Sequence, residues 1–192
     1  SRREVLKKSA ILAGIPTIIT SQVSASSKRP APSERITVGV IGPGKRGHTL
    51  MRGLRGFGEI QFVAVAEVEA NRRASAKKLA EDHHSKQKSK GDFKGVDTYG
   101  DFRQLLARKD IDAVVVATPD HGRTLPCIHA VQSGLDVYAE KPLTAYIQEG
   151  RHLVNAVRKH DRVFQVGTQQ RTMEINQYCC NLVHTGEIGE VK

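Results

Sequence analysis

The chain of 192 residues contains no tryptophan, and only 5% of it is aromatic. A surface that stacks nucleic-acid bases needs aromatic side chains, so this composition argues against one. Cysteine is scarce as well, with Cys127, Cys179 and Cys180 the only three. An odd count with two adjacent members makes no disulfide framework, and the paired C-x-x-C spacing of a zinc site is missing. No metal is expected. Cys127 and one of the adjacent pair read as small apolar residues on helices. No apolar run reaches about 18 residues, so the sequence offers no membrane span.

What is present is ordinary globular composition, 39% hydrophobic and 26% charged. That suffices for one sizeable core and the start of a second. The net charge of +10 is unevenly placed. Residues 1–34 contribute +4, and the stretch from Arg72 to Lys94 contributes +5. A local basic run of this kind reads as a solvated helix face and loop, and no nucleic-acid partner is expected.

The first residues read as an address. Arg2, Arg3, Lys7 and Lys8 precede an apolar run from Ala10 to Ile19, and Val23-Ser24-Ala25 offers a small-residue cleavage site. That is the layout of a secretory signal. "SRREVLK" resembles the twin-arginine signal, with Val5 where phenylalanine is common. The alternative is an amphipathic N-terminal helix. Residues 1–25 are thus expected to be the signal and residues 26–34 a disordered linker. The expected partner is the twin-arginine export machinery and the expected location the periplasm. That route carries folded proteins, which suits an enzyme that takes up its cofactor before export.

"RITVGVIG" (Arg35–Gly42) is a β-branched run suited to a buried parallel strand. It runs into Gly42-Pro43-Gly44-Lys45-Arg46-Gly47, after which Gly47, Leu50, Met51 and Leu54 recur at helical spacing. Strand, G-x-G-x-x-G, then helix is the context of a dinucleotide fingerprint. Gly42 permits the tight turn, Gly44 lets backbone approach a pyrophosphate, and Gly47 lets helix and strand pack closely. The helix start offers free N–H groups to phosphates, with Lys45 and Arg46 adding charge. A second strand, Ile60–Ala70, carries Glu67, 20 residues beyond Gly47. An acid at that distance accepts a ribose 2′-hydroxyl. A carboxylate there repels a 2′-phosphate, so NAD is favoured over NADP. Arg72 and Arg73 stand close enough in sequence to reach such a phosphate.

The alternation continues. Phe102, Leu105 and Leu106 mark a helix before the strand Ile111–Asp120. A helix from about Arg123 to Ser133 stops at Gly134. The strand Asp136–Glu140 follows, then a helix on Ile147, Leu153, Val154 and Val157, then the strand Arg162–Arg171. Such alternation predicts an α/β fold, a doubly wound parallel (Rossmann) sheet over residues 35–172. Ligands bind at the C-terminal ends of such strands. Polar clusters fall there: Thr118-Pro119-Asp120-His121, Glu140-Lys141-Pro142 and Gln169-Gln170-Arg171.

In their order and spacing, "VGVIGPGKRG", "VAVAEV", "DAVVVATPDH", "GLDVYAEKPL" and "VFQVGTQQR" resemble the glucose–fructose oxidoreductase, inositol dehydrogenase and rhizopine-catabolism (Gfo/Idh/MocA) family. The likeness covers about Arg35 to Lys192. It implies a nicotinamide-dependent oxidoreductase acting on a sugar, a polyol or a derivative. It implies that Lys141 is the catalytic lysine beside the nicotinamide, that Thr118 and Pro119 form a cofactor-contacting turn, and that Glu140 touches the nicotinamide ribose. A lysine there stabilises negative charge developing on oxygen. Pro142 fixes its own φ and biases Lys141 away from helix.

Two departures stand out. Arg123 occupies a position where the family often has histidine, and His121 reads equally as a substrate-contacting residue or as a cap or surface residue. The family's second α/β domain, with its Asp-x-x-x-His pair, is expected beyond this chain. Residues 173–192 are expected to hold a helix and the start of that domain, and His152, His160 and His184 form no such pair. The expectation is therefore the nucleotide-binding half of an oxidoreductase, weak or inactive alone. A non-catalytic nucleotide-binding module or redox sensor is the alternative. A homo-oligomer is compatible with either.

Overall fold

The computed structural model describes residues 34–85 and 95–190. The leader, most of the linker and the Lys86–Lys94 part of the basic run lie outside them.

Six parallel strands form one sheet: β1 (Ile36–Ile41), β2 (Ile60–Ala66), β3 (Asp97–Tyr99), β4 (Ala113–Val116), β5 (Asp136–Glu140) and β6 (Phe164–Gly167). Their spatial order is β3-β2-β1-β4-β5-β6. The connecting helices are α1 (Lys45–Leu54), α2 (Ala70–Ser85), α3 (Phe102–Leu106), α4 (Thr124–Gln132) and α5 (Ile147–His160), with α6 (Glu174–His184) after the last strand. This is the doubly wound Rossmann fold, as the alternation of patterns implies. The sequence order reverses between β1 and β4, and a crevice opens at such a switch point.

Side-chain alternation along the central strands divides the core in two. Val38, Val40, Phe62, Val65 and Val115 pack with Met51 of α1 and with Ala76 and Ala80 of α2. Ile41, Ala66, Val114, Val116 and Val137 pack with Leu105 of α3, Cys127, Ala130 and Val131 of α4, and Leu153 of α5. Strands covered on both faces need apolar residues at every position, which explains the unbroken runs in β1, β2 and β4. Along α2, Ala76, Ala80 and His84 share one buried stripe at a spacing of four. His84 Nε2 accepts a hydrogen bond from the Phe62 amide at 3.2 Å.

Several boundaries differ from the sequence reading. Strand β3 escapes it, because three residues with an aspartate at their head carry no recognisable period. The apolar run Ile111–Asp120 pairs only over Ala113–Val116, and its polar end forms a turn. Likewise Arg162–Arg171 pairs over Phe164–Gly167 and closes in a 3₁₀ turn, Gln169–Thr172. Ile147, counted on the apolar face of α5, is the helix's first residue and is exposed. Position in the first turn overrides its spacing.

The cysteines also divide. Cys127 is buried on α4, while Cys179 and Cys180 both lie exposed on α6, so neither of the pair acts as a packed apolar residue. Burial pushes the Cys127 thiol up to about 12, with the Arg123 charge opposing it. The neutral thiol's contribution to stability is therefore full below the thiol's unfolded value and is lost as pH rises through about 12. We expect an aromatic disulfide reagent at pH 8 to titrate two thiols in the folded chain and three after denaturation. Rapid reaction of all three in the folded chain would contradict this burial.

Candidate active site

The C-terminal ends of the strands surround a cleft of about 860 Å³. Its lining includes Gly42, Gly44, Lys45 and Arg46 after β1, Glu67 after β2, Thr118 and Pro119 after β4, and Glu140 and Lys141 at the end of β5. Nine of the ten residues singled out in the sequence thus share one cavity. Gly47 sits behind it, in the packing between α1 and the strands.

The glycine turn is tied at both ends. The Gly42 amide donates to the Ala66 carbonyl at 2.9 Å, and the Gly44 amide donates to the Gly42 carbonyl at 2.8 Å. Gly42 has φ of +71°, and a Cβ there would lie 2.6 Å from the Thr118 methyl carbon. Only glycine satisfies both constraints. A Cβ at Gly44 would meet nothing within 4 Å, so the space above the turn is open. A Cβ at Gly47 would lie 3.2 Å from the Gly42 carbonyl oxygen, which fixes how closely α1 approaches the turn. Helix α1 begins without a side-chain cap. Its first residues, Lys45 and Arg46, line the cleft, and an uncapped helix N-terminus there suits an anionic group.

Glu67 is buried, and its Oε1 accepts from the Glu69 amide at 3.1 Å. Its own amide donates to the Tyr99 carbonyl at 3.0 Å, so the short β3 holds this acid in place. Arg73 donates to the main-chain carbonyls of Glu67 and Val68. Arg72 lines the cleft and pairs with Glu69 at 3.3 Å. Beyond Glu67 the lining continues through Gly100, Asp101, Phe102 and Arg103 at the start of α3. Sequence reasoning missed this end of the cleft because it missed β3, whose C-terminal edge puts Gly100 there.

At the opposite end, Glu140 does more than border the cavity. Its carboxylate is buried, and Oε1 accepts from Arg46 Nε at 2.6 Å. Its Oε2 accepts from the Lys141 amide at 2.9 Å. Both oxygens are thus engaged, and the Arg46 charge is spent on Glu140. Of the two basic residues expected at the phosphates, Lys45 is the exposed one lining the cleft. The Lys141–Pro142 peptide bond is cis. Arg123, at the head of α4, is only 4% exposed and donates to the carbonyls of Thr118 and Pro142. Burial pulls its guanidinium below the usual arginine range, while Cys127, Glu140 and Asp120 act in the opposite direction.

Three buried polar atoms of lining residues lack a protein partner: Thr118 Oγ1, Arg123 Nε and Gln169 Oε1. Thr118 lies against the glycine turn, and an orphaned hydroxyl there fits a polar ligand. His121 lies exposed in the 3₁₀ turn Asp120–Gly122, outside the lining. His152 and His184 are exposed on α5 and α6, and His160 ends α5. Among the described residues, no group of three or more His, Cys, Asp or Glu converges as a metal site.

Known proteins resemble this chain in sequence and in fold. The family model for an oxidoreductase family with an NAD-binding Rossmann fold, GFO_IDH_MocA, matches residues 36–168. The chain is 32% identical over 95 residues to a 2,7-anhydro-N-acetylneuraminate hydratase of Mediterraneibacter gnavus, covering 50% of this chain and 25% of that protein. It is 28% identical to a glycosyl hydrolase family 109 protein of Solibacter usitatus, covering 100% of this chain and 44% of that one. Among solved structures, the scyllo-inositol dehydrogenase of Lactobacillus casei with bound NAD(H) and scyllo-inositol superposes with a TM-score of 0.68. That match has 24% identity and covers 81% of this chain and 43% of the other, a likeness of fold. The chain spans less than half the length of each of these proteins. The family match contains every lining residue of the cleft except Gln169, and the chain belongs to the Gfo/Idh/MocA oxidoreductases, whose domain of this kind is an NAD-binding Rossmann fold.

Proposed function

We propose that this chain supplies the nucleotide-binding part of an enzyme that moves a hydride between a nicotinamide dinucleotide and a sugar, polyol or derivative. The observation that carries the reading is the single cleft with the glycine turn in its middle, Glu67 towards one end and Lys141 at the other. When bound, the dinucleotide supplies the hydride acceptor or donor. Glu67 accepts from the ribose hydroxyls, and the amides of α1 with Lys45 hold the pyrophosphate. Lys141 places an ammonium at the reacting oxygen and stabilises the negative charge that grows there. In the oxidising direction the C–H hydride leaves the substrate carbon and the O–H proton passes to a base. We infer from the family resemblance that this base lies outside the described residues.

NAD is the favoured cofactor. The Glu67 carboxylate opposes a 2′-phosphate, and Arg73 already donates to main-chain carbonyls. The substrate class draws support from the inositol dehydrogenase and glycosyl hydrolase relatives. Export by the twin-arginine route rests on the sequence alone: the paired Arg2 and Arg3, the apolar run Ala10–Ile19 and the small residues Val23-Ser24-Ala25.

Three outcomes test these proposals. NADH binding, followed by its fluorescence, weakens about 10- to 100-fold in Glu67→Ala, as expected for one charge-assisted hydrogen bond. NADPH binding falls less, so the preference narrows, and an unchanged preference would remove Glu67 from the ribose. In Lys141→Ala, NADH affinity stays within about twofold, while polyol-dependent NAD reduction by the protein carrying the substrate region falls at least about a hundredfold. Retained turnover would exclude the lysine role. Fused to a reporter that matures only in the cytoplasm, residues 1–34 deliver it to the periplasm, and replacing Arg2 and Arg3 by lysine stops delivery. Export that survives the replacement would rule out the twin-arginine route.

A further inference from the structure

The geometry points to Arg123 as a positioning residue that fixes the Lys141 turn against the Thr118-Pro119 turn. Three observations carry this. Arg123 is 4% exposed, yet no carboxylate forms an ion pair with it among the described residues. Its two terminal nitrogens donate instead to main-chain carbonyls on two separate turns, Nη1 to Pro142 and Nη2 to Thr118. Those turns follow β4 and β5, which are neighbours in the sheet, and both border the cleft.

A buried guanidinium is costly in lost hydration unless its donors are met, and here both terminal nitrogens are met by carbonyls while Nε is not. Burying one here for packing alone would be wasteful, since an apolar side chain on α4 would fill the same space. A planar fork with donors at fixed separation does what an apolar residue cannot: it sets the distance between two carbonyls. One of those carbonyls belongs to Pro142, the residue that follows Lys141. From the other side, Glu140 binds the Lys141 amide and is itself held by Arg46. The lysine's backbone is thus clamped on both flanks, and Arg123 is the flank that the glycine-turn helix does not provide. A histidine at this position has no fork to span two carbonyls, so this chain holds the turn in its own way.

The inference rests on the dinucleotide reading above, and its test separates the two. Titrate the chain and its Arg123→Met and Arg123→Lys variants with NADH and with ADP-ribose, which lacks the nicotinamide. A brace that holds the main chain of the Thr118-Pro119 and Lys141-Pro142 turns, rather than the Lys141 ammonium, lowers NADH affinity about tenfold in Arg123→Met and leaves ADP-ribose binding within about twofold. Arg123→Lys keeps the charge but has no fork, and it follows Arg123→Met. In Arg123→Gly, added guanidinium ion restores NADH binding, which a general loss of stability would not permit. Equal losses for both ligands, or no loss for NADH, would overturn the brace. If the variants do not fold, the unsubstituted chain still decides: Arg123 resists phenylglyoxal in the folded chain, and rapid modification would overturn the proposal. Binding of neither ligand by the unsubstituted chain would overturn the dinucleotide reading and the brace with it.

Discussion

The parallel arrangement of the six strands is the constraint on which everything else depends. In a parallel sheet all C-terminal ends leave by one edge, so the turns after β1, β2, β4 and β5 meet there although they are far apart in sequence. The reversal of order between β1 and β4 keeps helices from covering that edge at its centre. The apolar residues that hold the sheet between two helix layers therefore also fix the positions of polar side chains that take no part in the core. The cleft is a by-product of the fold, and its chemistry comes from what was placed at the strand ends.

Two long-range ties convert a row of turns into a rigid site. Arg46 and Glu140 lie 94 residues apart and join at 2.6 Å. The carboxylate is buried, so the pair is worth more as a fixed geometry than as a source of stability, because desolvation offsets much of the attraction. Its effect is to make the start of α1 and the end of β5 one piece. The Glu67 amide on the Tyr99 carbonyl does the same for β2 and β3. These ties define a cavity with a polar turn at each end and a glycine turn between.

Much of this was legible in the sequence, and the reason is locality. The run from Arg35 to Gly47 encodes strand, turn and helix within a dozen residues, and each glycine has a local duty. The distance from Gly47 to Glu67 is set by one helix and one strand, so spacing alone locates the acid. What escaped was non-local. Nothing within the chain around Arg123 states that its donors meet carbonyls five and nineteen residues away. Nothing about Glu140 states that Arg46 will claim one of its oxygens. Strand β3 exists only because β2 offers it a ladder, and without β3 the far end of the cleft cannot be read. Boundary errors at β4 and β6 have a related cause: apolar character continues past the last paired residue, into the turns that carry the polar groups.

The contact between Gly42 and Thr118 has a consequence for how this part of the chain can change over time. Any side chain at position 42 pushes on the Thr118 methyl and on its backbone, since a Cβ would lie 2.9 Å from the Thr118 nitrogen. A retreat of Thr118 carries its carbonyl away from Arg123. Positions 42, 118 and 123 therefore share one fate: a single replacement at the first is a displacement at the second and a broken bond at the third. Descendants of this sequence can revise that corner only by several substitutions together, while the exposed faces of its helices drift one residue at a time.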